Sequence, residues 1–310
     1  MSFAAQEQAM FDLLFNAPLR MQFAQHRATA LQPYALTADE LQDFHAIRLD
    51  ALEFDANLRS AILLAAIAKT LPLTFCGLSS FEGGVDRLRA VLDAALVRAA
   101  PATRPVHFAE RLRAHWSAWP FINARESALM QAILDAEWGM ASTLAARRDS
   151  ALADLPEEPA VETVPDDWLL QPVSLAPFVS AGVLPQSHAV LKTAWCPEGE
   201  SALWRALQKQ PLPMEQRQAQ FAAPQPRLLL ARAVVAVPSA CDPVIEYHIT
   251  ELPEGFASLF QYVNGENSVS TMLMGLQQAG APKEMLASVQ AGFRQLLASG
   301  MLVASWDGED

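Results

Sequence analysis

The sequence predicts an α+β chain: an N-terminal all-helical domain, then a C-terminal domain of short antiparallel strands plus three helices. Three observations lead there. Apolar residues recur at helical spacing from about residue 4 to about residue 150. An acidic, proline-containing stretch follows. After it, Arg227–Val237 and Val244–Thr250 alternate as strands do, and helical spacing then returns up to a short wing-like tail at Met301–Ser305. The predicted boundaries are 1–150 for the helical domain, 151–167 for a linker, 168–225 for a bridging region and 226–310 for the C-terminal domain.

In the helical part, Phe11, Leu14 and Phe15 form an apolar stripe ahead of Pro18. Thr37 and Glu40 have capping-box spacing: the Thr37 hydroxyl can accept an orphan backbone N–H while Glu40 reaches back, opening a helix through Leu41 and Phe44. A long helix is expected over Leu58–Leu73, ended by Pro72, whose ring and missing N–H stop propagation. Gly83 and Gly84 break the chain. Val85–Ala99 then places Leu88, Val91, Leu92 and Leu96 on one face. His107–Trp116 and Glu126 to about Ser150 complete the set, around a turn at Trp119-Pro120.

The stretch LADLPEEPAVETVPDD carries three prolines and six acidic residues from Asp154 to Asp167, which favours an extended, solvated linker. Beyond it, Ser187–Trp195 is expected to be a strand, and Ser201–Lys209 places Leu203, Trp204 and Leu207 at helical spacing. In Arg227–Val237 both alternating sets are apolar, so the strand should be covered on both sides. In Val244–Thr250, Ile245, Tyr247 and Ile249 share one face, and Val244, Glu246 and His248 the other. After Pro282, a helix sets Met285, Leu286, Val289, Phe293, Leu296 and Leu297 on one broad face and stops at Gly300.

Composition excludes several classes. With 52% hydrophobic and 18% charged residues, burial is easy and wholesale disorder is not expected. A formal net charge of -12, from 22 basic and 34 acidic residues, argues against a nucleic-acid partner, which demands cationic neutralisation of phosphates. Cys76, Cys196 and Cys241 form no CxxC pair, consistent with reduced thiols and a cytoplasmic location. The start, MSFAAQEQAMFDLLF, lacks the pattern of a secretory signal, and Ala61–Ala68 is too short to span a bilayer, so no membrane role is expected. No GxSxG, P-loop or GxGxxG is present. His107 and Glu110, at i,i+3, could offer two ligands on one helix face, but read as a surface pair. Asp135 and Glu137, two apart on a helix, do not converge as an acid/base pair.

One resemblance sharpens this reading. Leu252, Phe256, Leu259 and Phe260, the Asn264-Gly265 turn, Ser268-Val269, Leu273, Leu276 and the run Leu296–Leu302 match the phrasing of the RiPP recognition element, a peptide-binding winged helix; Pro253-Glu254-Gly255 departs from it. The N-terminal segments MFDLLFNAPLRMQFAQHRATALQPYALTADELQDFHAIRLDALEFDANLR and LMQAILDAEWGMAS are similar to the helical domain of partner subunits of multinuclear non-haem iron-dependent oxidases (MNIOs), of the 3-thiaglutamate and methanobactin type. The resemblance implies a winged-helix-like C-terminal domain that captures a precursor's leader peptide and helices that dock an MNIO-family oxidase as a hetero-oligomer. It also implies no catalytic residue, metal ligand or cofactor in this chain, the iron belonging to the partner. A leader could add as a strand to the open edge at Val244, Glu246 and His248, with Leu286, Val289, Phe293 and Leu297 as a helical wall, although most of that apolar stripe is expected to pack on the sheet, leaving only its edge to line a groove. Trp116, Trp119, Phe121 and Trp138 are candidate partner-interface residues, since tryptophan is favoured in interface cores, and equally candidates for a domain core. The competing expectation is a winged-helix transcription regulator with a helical ligand or dimerisation domain. Against it, Lys283 and Arg294 are the only basic residues between Pro282 and Ser299.

Overall fold

The computed structural model describes residues 3–121, 123–153, 164, 166–195, 225–239, 241 and 243–304. The chain is α+β, with a helical N-terminal part and small antiparallel sheets with helices toward the C-terminus. Its described residues divide into two compact units, one built on Met1–Asn123 and the other on Ala124–Thr193 with the described part of Gln220–Asp310. Among the described residues no helix is long and apolar enough to cross a membrane.

The first unit contains α1 (Phe3–Phe15), α2 (Ala17–Gln25), α3 (Arg27–Leu31), α4 (Ala38–Ala46) and α5 (Leu49–Ala68). It continues with α6 (Pro72–Ser79), α7 (Gly84–Ala90), α8 (Ala94–Arg98), α9 (Arg104–Ala114) and a 3-10 turn, Trp116–Ala118. The capping box opens α4 as expected: Thr37 N–H donates to Glu40 Oε2 at 2.7 Å and Glu40 N–H to Thr37 Oγ1 at 3.3 Å. Leu13, Phe23, Leu31 and Phe44 close a core among the first helices. Two expectations fail here. The long helix begins nine residues early, at Leu49, and Pro72 opens α6 instead of ending its predecessor, because a proline at the first helical position forfeits no hydrogen bond. The stretch after Gly84 is two short helices, since the Asp93 carboxylate caps a new start by accepting the Leu96 N–H at 2.8 Å.

The second unit starts with α10 (Ala124–Leu152), followed by β1 (Pro172–Leu175), β2 (Val179–Leu184) and α11 (His188–Trp195). Then come β3 (Arg227–Val237), β4 (Val244–Pro253), a 3-10 turn at Glu254–Phe256, α12 (Ala257–Phe260) and β5 (Asn264–Ser268). Helices α13 (Val269–Gln278) and α14 (Lys283–Ala298) and strand β6 (Leu302–Ala304) end it. The expected boundary near residue 150 therefore moves to Asn123/Ala124: α10 packs on β2, β3 and β4, a long-range contact that helical periodicity does not encode. Residues 168–195 are no mere bridge, for they supply a strand to each sheet. Ser187–Trp195 forms α11 and not a strand. The linker residues 154–163, Cys196, Ser201–Lys209 and Ser305 lie outside the described residues.

Two three-stranded antiparallel sheets organise this unit, in the orders β5-β1-β6 and β2-β3-β4. In the second, Gly182 lies opposite Leu229, which lies opposite Glu251. Central β3 is covered on both sides as its pattern required: Leu228 and Leu230 join the core made with Phe256, Val289, Phe293 and Leu297, while α10 covers the opposite face. Gly182 is the close-approach point, where an added Cβ would lie 2.8 Å from Ala136 Cβ and 2.9 Å from its Cα. The turn between β1 and β2 holds Phe178 at a left-handed φ of 57°, uncommon for a side chain of this size, with the Arg147 guanidinium 5.0 Å from its ring centroid.

Candidate functional site

Strand β4 is the outer strand of its sheet, and among the described residues nothing pairs with its second edge. Ten residues long, it spans roughly 33 Å at the usual rise per residue. Its inner edge is tied to β3 from Val244 opposite Val237 to Pro253 opposite Arg227, with a register irregularity between Val235 and Val237.

The two faces of β4 differ as the alternation predicts. Ile245 and Tyr247 are half-buried on the α10 side, where the Tyr247 hydroxyl donates to the Met140 carbonyl. Burial, and after it the charge of Glu137, raises the Tyr247 phenol far above its ordinary value, so it stays a neutral donor. Lower on the same face, Glu251 Oε1 accepts the backbone N–H of His188 at 2.8 Å and so caps α11. Burial lowers the His188 imidazole, against the opposing charge of Glu251. Val244, Glu246 and His248 are exposed on the other face. The strand is thus anchored on the α10 side through Tyr247 and Glu251, while Val244, Glu246 and His248 face solvent on the other side. At that end Val237 and Val244 form an apolar pair, 55% and 48% exposed.

The helical wall needs correction. Val289, Phe293 and Leu297 are 4%, 0% and 3% exposed and belong to the core, so no guest chain can reach them without unfolding. Leu286 alone of the four is half-buried on the rim. The stripe that looks like a groove lining must first pack α14 onto the sheet. What borders the open face of β4 is the end of α14: His248 lies opposite Arg232, whose Nη1 donates to the Ser299 carbonyl at 3.3 Å. An added Cβ on Gly300, at φ +66°, would meet the same guanidinium. No signal in the local pattern singles out that contact, which depends on the packing of α14 against β3.

The proposed partner-interface residues also divide. Trp119 is buried, and Phe81 gathers Trp119 and Phe121 edge-on at 6.2 and 5.4 Å between centroids, with Trp116 at 5.1 Å from Phe121. Of these three, Trp119 is a core residue of the first unit, while Trp116 and Phe121 are half-buried. Trp138 falls in the second unit, half-buried on α10. An open apolar face lies elsewhere in the first unit. Phe54, Leu58 and Ile62, at i, i+4 and i+8 of α5, are 70%, 48% and 56% exposed, while Leu52, Ala56, Ser60 and Leu64 are buried on the opposite face. The sequence does carry a signal for this: a helix apolar on two opposite faces has one face more than a single core can use.

Among the described residues no three His, Cys, Asp or Glu side chains converge as a metal site would require. His107 Nδ1 and Glu110 Oε2 are 3.3 Å apart on the exposed surface of α9. Cys76 is buried and Cys241 exposed. Comparison with protein-family models, curated proteins and solved structures finds no match.

Proposed function

We propose that this chain is a non-catalytic partner protein that binds the leader of a ribosomally synthesised precursor peptide and presents it to an iron-dependent oxidase. The observation that carries the reading is the outer edge of β4, unpaired among the described residues: ten residues of extended backbone with Val244, Glu246 and His248 exposed beside it. An exposed strand edge invites pairing by another chain, and main-chain hydrogen bonds bind an extended peptide with little demand on its sequence. Selectivity then comes from side chains flanking the edge, not from the buried stripe of α14. The resemblance to recognition-element and oxidase-partner proteins supplies the identity of the guest and of the enzyme. Iron and its redox chemistry belong to the oxidase. This chain's part is to hold the leader, raising the local concentration of the tethered core peptide, to roughly the mM range for a short linker.

The test is fluorescence anisotropy of the full chain with a labelled synthetic leader from a precursor encoded beside the oxidase. A single-site isotherm is expected, and His248→Asp should weaken it roughly tenfold while leaving the unfolding midpoint in place, a loss of about 1.4 kcal/mol in binding. Unchanged affinity in that folded variant would sink the edge as the binding site. Modification of the precursor by this chain alone would sink the non-catalytic role.

For the oxidase, the exposed face of α5 is the natural seat, since an apolar patch of this kind marks an interaction surface. Phe54→Asp should abolish co-purification with the oxidase without altering leader affinity or thermal stability. Retained co-purification would move the docking face away from α5.

A further inference from the structure

The first unit contains a cavity of about 540 Å³ where the ends of α1 and α2 meet α5, α7 and α8. Its walls are mostly small or apolar, including Leu14, Phe15, Ala17, Leu92, Ala94 and Ala95. Arg20 and Arg89 are also among the lining residues.

The ionic partners are unevenly shared. Both carboxylates in the lining are engaged: Asp86 pairs with Arg89 at 3.2 Å, and Asp93 pairs with Arg111 and caps α8. Arg20 has no carboxylate within ion-pairing distance among the described residues. It donates instead through Nη1 to the carbonyls of Leu13 and Leu14, at 3.0 and 2.7 Å, which fixes it at the end of α1. The Nε of Arg89 is buried without an acceptor, a donor left over when Nη1 pairs with Asp86. Burial lowers the Arg20 pKa and the neighbouring Arg89 pushes the same way, while the charge of Glu53 opposes both. Two cations are therefore held near each other in a partly desolvated cavity, with fewer anions than they could bind. The amino end of the nine-residue helix α2 borders the same space and adds positive potential.

We infer that this cavity binds a small ligand bearing an oxyanion, a carboxylate or a phosphate, on a short apolar body. The oxyanion sits between Arg20 and Arg89, where a planar fork of donors suits either group. The alanine-rich walls take the apolar remainder. The site shares no residue with β4 or with the exposed face of α5, so neither leader capture nor oxidase docking has to hold for it to exist.

The probes are sodium phosphate and sodium butyrate, titrated into the full chain against sodium chloride at matched ionic strength, with thermal unfolding and calorimetric heat as readouts. At roughly ten times the dissociation constant, a true ligand should raise the midpoint by about 3 °C. A response to phosphate alone points to a phosphate ester, to butyrate alone to a carboxylic acid, and to both to an oxyanion site without further choice. Arg89→Gln removes one guanidinium, and Ala90→Leu narrows the cavity from its rim without touching either arginine. Loss of the response in at least one folded variant supports the site. No response beyond chloride, or the same response in both variants, overturns it. Arg20 is avoided as the first variant because it also secures the carbonyls of α1.

Discussion

Phe293→Ala is expected to destabilise the second unit by about 3–5 kcal/mol, the range for truncating a buried aromatic. Phe293 is fully buried, with the rings of Phe256 and Phe260 each 6.2 Å away between centroids. These neighbours come from the segment between β4 and β5, and the same cluster includes Leu228 and Leu230 of β3, so the lost volume sits where helices and sheet meet. Urea unfolding followed by tryptophan fluorescence measures it, Trp168 being buried in the same cluster. Leu286→Ala, on the half-buried rim of α14, should have a much smaller effect. If the two cost the same, the division of this helix into core and rim is wrong. The pair also separates folding from recognition: weaker leader binding by Phe293→Ala would report a damaged scaffold, and only loss in a fully folded variant identifies a contact.

Gly182→Val is expected to destabilise by about 1–3 kcal/mol, against the strand preference of valine. The demand for glycine here is spatial. Gly182 is not among the glycines with positive φ, so its backbone is open to other residues. A Cβ would stand 2.8 Å from Ala136 Cβ and 2.9 Å from Ala136 Cα, and the second of these is helix backbone that no rotamer change can move. Either α10 lifts from β2 or the strand bends, and both disturb packing along Ala136, Gly139 and Met140. Because Tyr247 donates to Met140, a displaced α10 would also loosen the inner face of β4. Denaturation midpoints check the size of the effect. Adding Ala136→Gly should restore part of the stability, since it removes one of the two close atoms. A valine variant as stable as the parent would show that α10 rides on this sheet with room to spare.

Much of the fold was legible wherever local chemistry decides. Thr37 and Glu40 mark a helix start because their groups satisfy each other within one turn. The alternation in β4 separates Tyr247 from Glu246 and His248 because side chains in a strand point to opposite faces. The apolar run of β3 announces cover on both sides. Ser187–Trp195 departs from the expected strand because nine residues of mixed pattern suit either period, and the helix is settled by Glu251, sixty-three residues from His188, accepting its N–H. Pro72 was misread because proline either ends or begins a helix, and the preceding turn decides which.

The candidate site divides along the same line. By itself the sequence determined the α+β class, the strand pair, the final helices and the exposed trio Val244, Glu246 and His248, since each follows from periodicity over a few residues. Only the tertiary structure decided that β4 is an outer strand, that Val289, Phe293 and Leu297 are core, that Trp119 is buried and Phe54 is not, and that α10 belongs with the sheets. These depend on which surfaces meet across long stretches of chain. An apolar face states that it must be covered but does not name its cover, and that choice is made by the packing of the whole unit.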